Sequence, residues 1–248
     1  MFPTLDVLCA VGFAAVHVFA GKLRFLQAVP RSRWLSAAGG VSVAYVFVHI
    51  FPEITHHHVQ LTEGPAAASA LLATLTEHAV FLAALAGFTA FYGLEQFARQ
   101  SGSGRGGDSE SSAAPTGVFW VHVGSFAVYN ALVGYLLLHR EEAGVANLLL
   151  YAGAMAVHFL VTDYGLRDHH RETYDRIGRW VLAAAVLAGV GAGFLVGVPE
   201  TALSLLFAFL AGGIVLNVIK EELPEERDSR FRAFGAGLVG YTVVLLLV

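Results

Sequence analysis

The stretch AGGVSVAYVFVHIFPEI, residues 38–54, is echoed late in the chain by AGGIVLNVIKEELPEE, residues 211–226. Each opens on Ala-Gly-Gly, runs through mostly apolar residues and stops at Pro-Glu. Small residues let two helix backbones approach closely, and the residue before a proline is driven out of the helical region. Each copy therefore reads as a membrane helix that packs tightly near its start and ends at a surface. What the repetition means depends on how often the chain crosses the bilayer between the copies.

The 248 residues are 56% hydrophobic and 14% charged, with a mean hydropathy of +0.64. A soluble domain carries about 25% charged residues, so this chain lacks the polar surface to cover a globule in water. Apolar runs of roughly 20 residues recur throughout, the length that crosses a hydrocarbon core. Cys9 is the single cysteine, which excludes an intrachain disulfide and a thiolate metal cluster. A net charge of −4 gives no footprint for nucleic acid. Arg far outnumbers Lys and Ala, Gly, Val and Leu dominate, a GC-rich prokaryotic habit that points to a bacterial or archaeal plasma membrane. No positively charged segment precedes the first apolar run, so that run is expected to remain as a span.

The pattern predicts an all-α polytopic membrane protein with eight transmembrane helices, at roughly 4–26, 34–54, 70–98, 117–139, 145–166, 177–198, 201–220 and 231–248. The whole of 1–248 is one transmembrane domain. Its linker of note, QSGSGRGGDSESSAAPTG (100–117), has no apolar period and is expected to be a flexible cytoplasmic segment over 100–116. All but Arg140 of the 15 Lys and Arg residues fall in loops 1, 3, 5 and 7. By the positive-inside rule those loops are cytoplasmic and both termini lie outside.

With that count the two copies become spans 2 and 7, which run in opposite directions. Spans 1–3 (repeat 4–98) and 6–8 (repeat 177–248) then form inverted repeats around a central pair over 117–166, a 3+2+3 arrangement. Inverted repeats are an architecture of secondary transporters, whose substrate site lies near the midplane.

Eight spans, outside termini, a hydrophilic loop between spans 3 and 4 and the 3+2+3 layout resemble the ZIP (ZRT/IRT-like) family of divalent metal transporters. AGGVSVAYVFVHIFPEI in span 2, FAFLAGGIVLNVIKEELPE in span 7 and FYGLE (91–95) in span 3 carry the resemblance. It implies carriage of zinc, iron or manganese toward the cytoplasm, through a site between spans 4 and 5 built on HNxxDG and HExPHE motifs. YNALVG (129–134) and HFLVTD (158–163) stand where those motifs fall. Asn130, Gly134 and His158 match, and Asp163 replaces the final Glu. Tyr129, Val133, Phe159 and Thr162 replace the remaining polar positions, so a bridged metal pair is not expected.

The intramembrane polar residues supply the candidate metal ligands. His158, Thr162 and Asp163 share one face of span 5, and imidazole with carboxylate suits a divalent transition metal. A proton shared between His and Asp is the alternative there. In span 4, His122, Tyr129 and Asn130 share a face. At a rise of about 1.5 Å per residue, depth pairs His158 with His122, whereas the motif alignment pairs it with Tyr129 and Asn130. His49, Glu53, His56, His57 and His58, with Glu63, Glu77 and His78, form a candidate outer vestibule that gathers cations. His17 reads as a hydrogen-bonded core histidine. Glu95, Lys220, Glu221 and Glu222 read as snorkelling span ends, with pairing across an exit path as the alternative, RDHHRETYDR (167–176) as a charged connector, and Trp34, Trp120 and Trp180 as interfacial anchors.

The expected function is divalent cation transport, the ion being the partner beside the lipid bilayer, with no resident cofactor. GAGF (191–194) and GAGLVG (235–240) suit packing within the chain or in a homodimer. A non-transporting relative serving as sensor or scaffold is the alternative. An intramembrane metal hydrolase using His17, His122, His158 and Asp163 would require span 1 to pack against spans 4 and 5.

Overall fold

The computed structural model of the chain describes residues 3–22, 33–52, 78–103, 116–140, 144–222 and 230–247. Its elements in order are α1 (Pro3–Phe19, closed by a 3₁₀ turn at Ala20–Lys22), α2 (Arg33–Ala44, continued by a π-helical segment at Tyr45–Ile50), α3 (Ala79–Ser103) and α4 (Thr116–Leu138). Then come α5 (Val145–Thr173), a second π-helical segment (Tyr174–Gly178), α6 (Arg179–Leu195), α7 (Glu200–Glu222) and α8 (Phe231–Leu247). No strand occurs among the described residues. Six stretches are long and apolar enough to cross a membrane, in α1, α3, α4, α5, α6 and α7, and α8 is a shorter apolar helix. The chain is an all-α, polytopic membrane protein.

Apolar side chains point both ways, as a bilayer requires. Leu8, Leu85, Val128, Leu149 and Leu247 are exposed on the rim, while Phe13, Tyr45, Val133, Tyr151, Met155 and Phe159 fill the interior. Hydroxyls are silenced locally: Ser42, Thr162 and Ser204 each donate to the carbonyl four residues back. Gly144, at φ 147°, turns the chain into α5 through a conformation that L side chains rarely adopt. Trp34, Trp120 and Trp180 are all exposed.

Glycines set the closest helix pairs. A Cβ at Gly40 of α2 would lie 2.1 Å from the Phe234 carbonyl oxygen of α8, and one at Gly237 would lie 2.1 Å from that of Ala37. The α7–α3 crossing has the same template: Gly212 would meet Ala84 O at 1.9 Å, and Gly87 would meet Phe209 O at 2.0 Å. Ala37 and Gly40 thus face Phe234 and Gly237 just as Phe209 and Gly212 face Ala84 and Gly87. The matching Ala-Gly-Gly triplets are one residue out of step with this geometry, because Gly40 closes its triplet and Gly212 sits in the middle of the other. Counting back from Pro52 and Pro224 restores the structural register. A third crossing joins α4 to α6, where Gly134 and Gly189 abut the carbonyls of Val186 and Ala131. Of the small-residue runs expected to pack helices, Gly193 and Gly237 meet neighbours, while Gly191, Gly235 and Gly240 face open space.

Two local expectations are revised. The linker expected from residue 100 begins later, since α3 runs to Ser103; residues 104–115 lie outside the described residues. The connector 167–176 is helical, with non-helical backbone at His170 alone (φ −137°, ψ 37°). Neither Pro nor Gly interrupts the chain between Gly165 and Gly178, so nothing local stops the helix there. Residues 53–77, which include the start expected for span 3, also lie outside the described residues.

Candidate functional site

The polar centre of the bundle is made by three helices. His17 of α1 is fully buried; its Nδ1 lies 2.9 Å and 3.0 Å from the two carboxylate oxygens of Asp163 on α5. Its Nε2 lies 2.7 Å from Asn130 Oδ1 on α4. Asn130 Nδ2 donates to the Phe126 carbonyl at 2.7 Å, which fixes the amide with its oxygen toward His17. Nε2–H therefore donates to Asn130, and the contact between Nδ1 and Asp163 holds a proton between imidazole and carboxylate. The Phe159 ring packs over His17, centroids 4.6 Å apart, and shuts water out.

One turn away, Tyr129 OH and His158 Nε2 are 3.1 Å apart. This is the register given by the motif alignment, and the depth pairing of His158 with His122 does not occur. His158 Nδ1 is buried and has no hydrogen-bond partner among the described residues, an arrangement that costs about 1–3 kcal/mol. Thr162 turns its hydroxyl to the His158 carbonyl.

His122 lies instead on the arginine-rich side of the molecule. Its Nδ1 is 3.1 Å from His170 Nε2, and its Nε2 is 3.4 Å from Glu95 Oε2. Glu95 also receives Lys220 Nζ at 2.8 Å. His122, Glu95 and Lys220 line a cleft with Phe126, Thr162, Gly165, Leu166 and Asn217. Thr162 on its wall is the chain neighbour of Asp163. Glu95 and Lys220 are therefore cleft residues paired with one another, not free snorkelling ends.

At the opposite end, Asn147 Nδ2 is 3.2 Å from His49 Nε2, and His49 packs against Tyr45. Glu53, His56, His57 and His58, and with them Glu63 and Glu77, lie outside the described residues. Arg140 donates to buried Asp6 at 3.1 Å and to the Leu137 carbonyl.

Six candidate ligands were expected around one ion. Asn130, Tyr129, His158, Thr162 and Asp163 gather near the centre and His122 does not. No group of three or more His, Cys, Asp or Glu side chains among the described residues is arranged to hold a metal. Asp163 and Asn130 are both engaged by His17. His17 is buried and hydrogen-bonded, as the sequence suggested; His170 is the neighbour that sequence reasoning did not assign. The lack of Pro and Gly between Gly165 and Gly178 is the signal for His170; for His17 the signal is a lone basic residue inside an apolar span. No protein family, curated protein or solved structure matches the chain.

Proposed function

We propose that this chain is a ZIP-like membrane transporter that carries divalent cations of the zinc, iron or manganese class toward the cytoplasm. The observation that carries the reading is the buried His17–Asp163–Asn130 centre, whose Asp163 follows Thr162 of the cleft wall in the chain. Ionisable groups inside a membrane are expensive and mark ion pathways. In this reading the chain has eight spans with α2 and α8 among them, both termini outside, and α1–α3 inverted on α6–α8. The shared glycine template of the α2–α8 and α7–α3 crossings supports the repeat. The capture of Arg140 by Asp6 supports the orientation, because it uses up the one basic residue of the outer side.

Alternating access then works by helix pairs. Rocking of both repeats against α4 and α5 would tear α4 from α6, whose backbones meet at Gly134 and Gly189. In this reading α4 and α6 therefore move as a pair.

Influx of zinc, iron(II), manganese and cadmium into proteoliposomes holding a metal-sensitive dye tests this. Flux in the parent that is lost in His158→Ala and Asp163→Asn supports the transporter. A folded parent that moves no ion favours the second reading, a non-transporting relative acting as sensor or scaffold. That reading draws on the closed hydrogen bonding of His17, Asp163 and Asn130. The hydrolase alternative needs His122 at the same centre, and His122 is engaged with His170.

A further inference from the structure

Lys220 Nζ lies 2.8 Å from Glu95 Oε2, with side chains 23% and 13% exposed, so the pair sits inside the cleft and not at its mouth. Two other polar atoms of that cleft lack hydrogen-bond partners among the described residues, Asn217 Nδ2 and His122 Nε2. Asn217 itself is only 6% exposed. His122 Nε2 approaches Glu95 to 3.4 Å without hydrogen-bond alignment. In the tautomer that gives Nδ1–H to His170, Nε2 presents a lone pair. A carboxylate oxygen and an imidazole lone pair offer a hydrated divalent cation two direct donors. The cationic group found there is the chain's own ammonium.

We propose that the Glu95–His122–Asn217 cleft is a second cation site, separate from the centre at Asp163, and that Lys220 occupies it as a tethered cation. A mobile ion and the ammonium compete for one carboxylate. An ion arriving from the centre past Thr162 therefore finds Glu95 already neutralised and passes on without being trapped. Only this last consequence rests on the transporter reading; the binding claim stands apart from it.

Titration calorimetry of the detergent-solubilised full chain with Zn²⁺ and Cd²⁺ tests the claim, beside influx into proteoliposomes. Lys220→Met is expected to bind one more cation per chain than the parent, and Lys220→Met/Glu95→Gln to lose that extra ion. Influx through Lys220→Met is expected to slow several-fold, with Lys220→Arg restoring it. Where Lys220→Met is not monodisperse, Lys220→Gln replaces it, since the amide still donates to Glu95 without the charge. An unchanged cation count in the charge-removing variant overturns the proposal. A parent without flux, together with an extra ion in Lys220→Met, overturns the transporter and leaves the tethered cation standing.

Discussion

Asp163 presents both carboxylate oxygens to one ring nitrogen of His17, at 2.9 Å and 3.0 Å, across the α1–α5 contact. Neither residue has water to fall back on. Removing one partner of a buried pair is worth on the order of 3–5 kcal/mol, whereas replacing both by apolar groups is often neutral. Asp163→Leu alone should therefore lower the thermal midpoint in detergent sharply, and His17→Leu/Asp163→Leu should recover most of the loss. Equal midpoints for single and double variants would mean that the pair is not coupled.

The glycine template predicts matched sensitivities. Gly40→Ala and Gly212→Ala each drive a methyl to about 2 Å from a backbone carbonyl, so both should destabilise the fold by similar amounts. Gly191, which faces open space, should gain up to about 1 kcal/mol from the same change through helix propensity. Thermal midpoints of the three variants decide it; a tolerant Gly212→Ala beside an intolerant Gly40→Ala would break the equivalence.

Tyr129→Phe strips His158 Nε2 of its partner and leaves both nitrogens of a buried imidazole unsatisfied. A loss of about 1–3 kcal/mol is expected, measured by denaturation. His158→Phe in the same background should add little further loss, since an apolar ring needs no partner.

Arg140→Gln leaves Asp6 buried without its cation, again a loss on the order of 3 kcal/mol, which Asp6→Asn/Arg140→Gln should relieve. Orientation is a separate matter. Cysteines placed at Ser109 or Ser112, in a Cys9→Ala background, should react with an impermeant thiol reagent from the cytoplasmic side only.

The helical elements were legible because apolar length is a one-dimensional property. The expected spans and the observed helices agree within a few residues for 117–139, 201–220 and 231–248. Register was harder. Identity of the Ala-Gly-Gly triplets suggested an alignment that backbone contact at Gly40 and Gly212 displaces by one residue, since packing selects the glycine that meets a carbonyl and not the one that matches by letter. The site was legible in part. His158, Asp163, Tyr129 and Asn130 fall on faces that periodicity identifies, and their faces do meet. That His17 completes the centre depends on α1 lying against α5, which no local pattern encodes. His122 lies apart from that centre, beside His170, which sits in a charged segment that reads as a loop and folds as helix.

That segment has a mechanical consequence. The stretches Val145–Asp168 and His170–Leu195 are two membrane-length rods hinged at one residue, His170, with no slack between them to absorb displacement. The same residue holds α4 through His122. A tilt of the rod that carries Asp163 is thus levered directly into its successor and tugs the neighbour that shares the cleft, so the proposed binding centre and its outlet are geared together through a single joint.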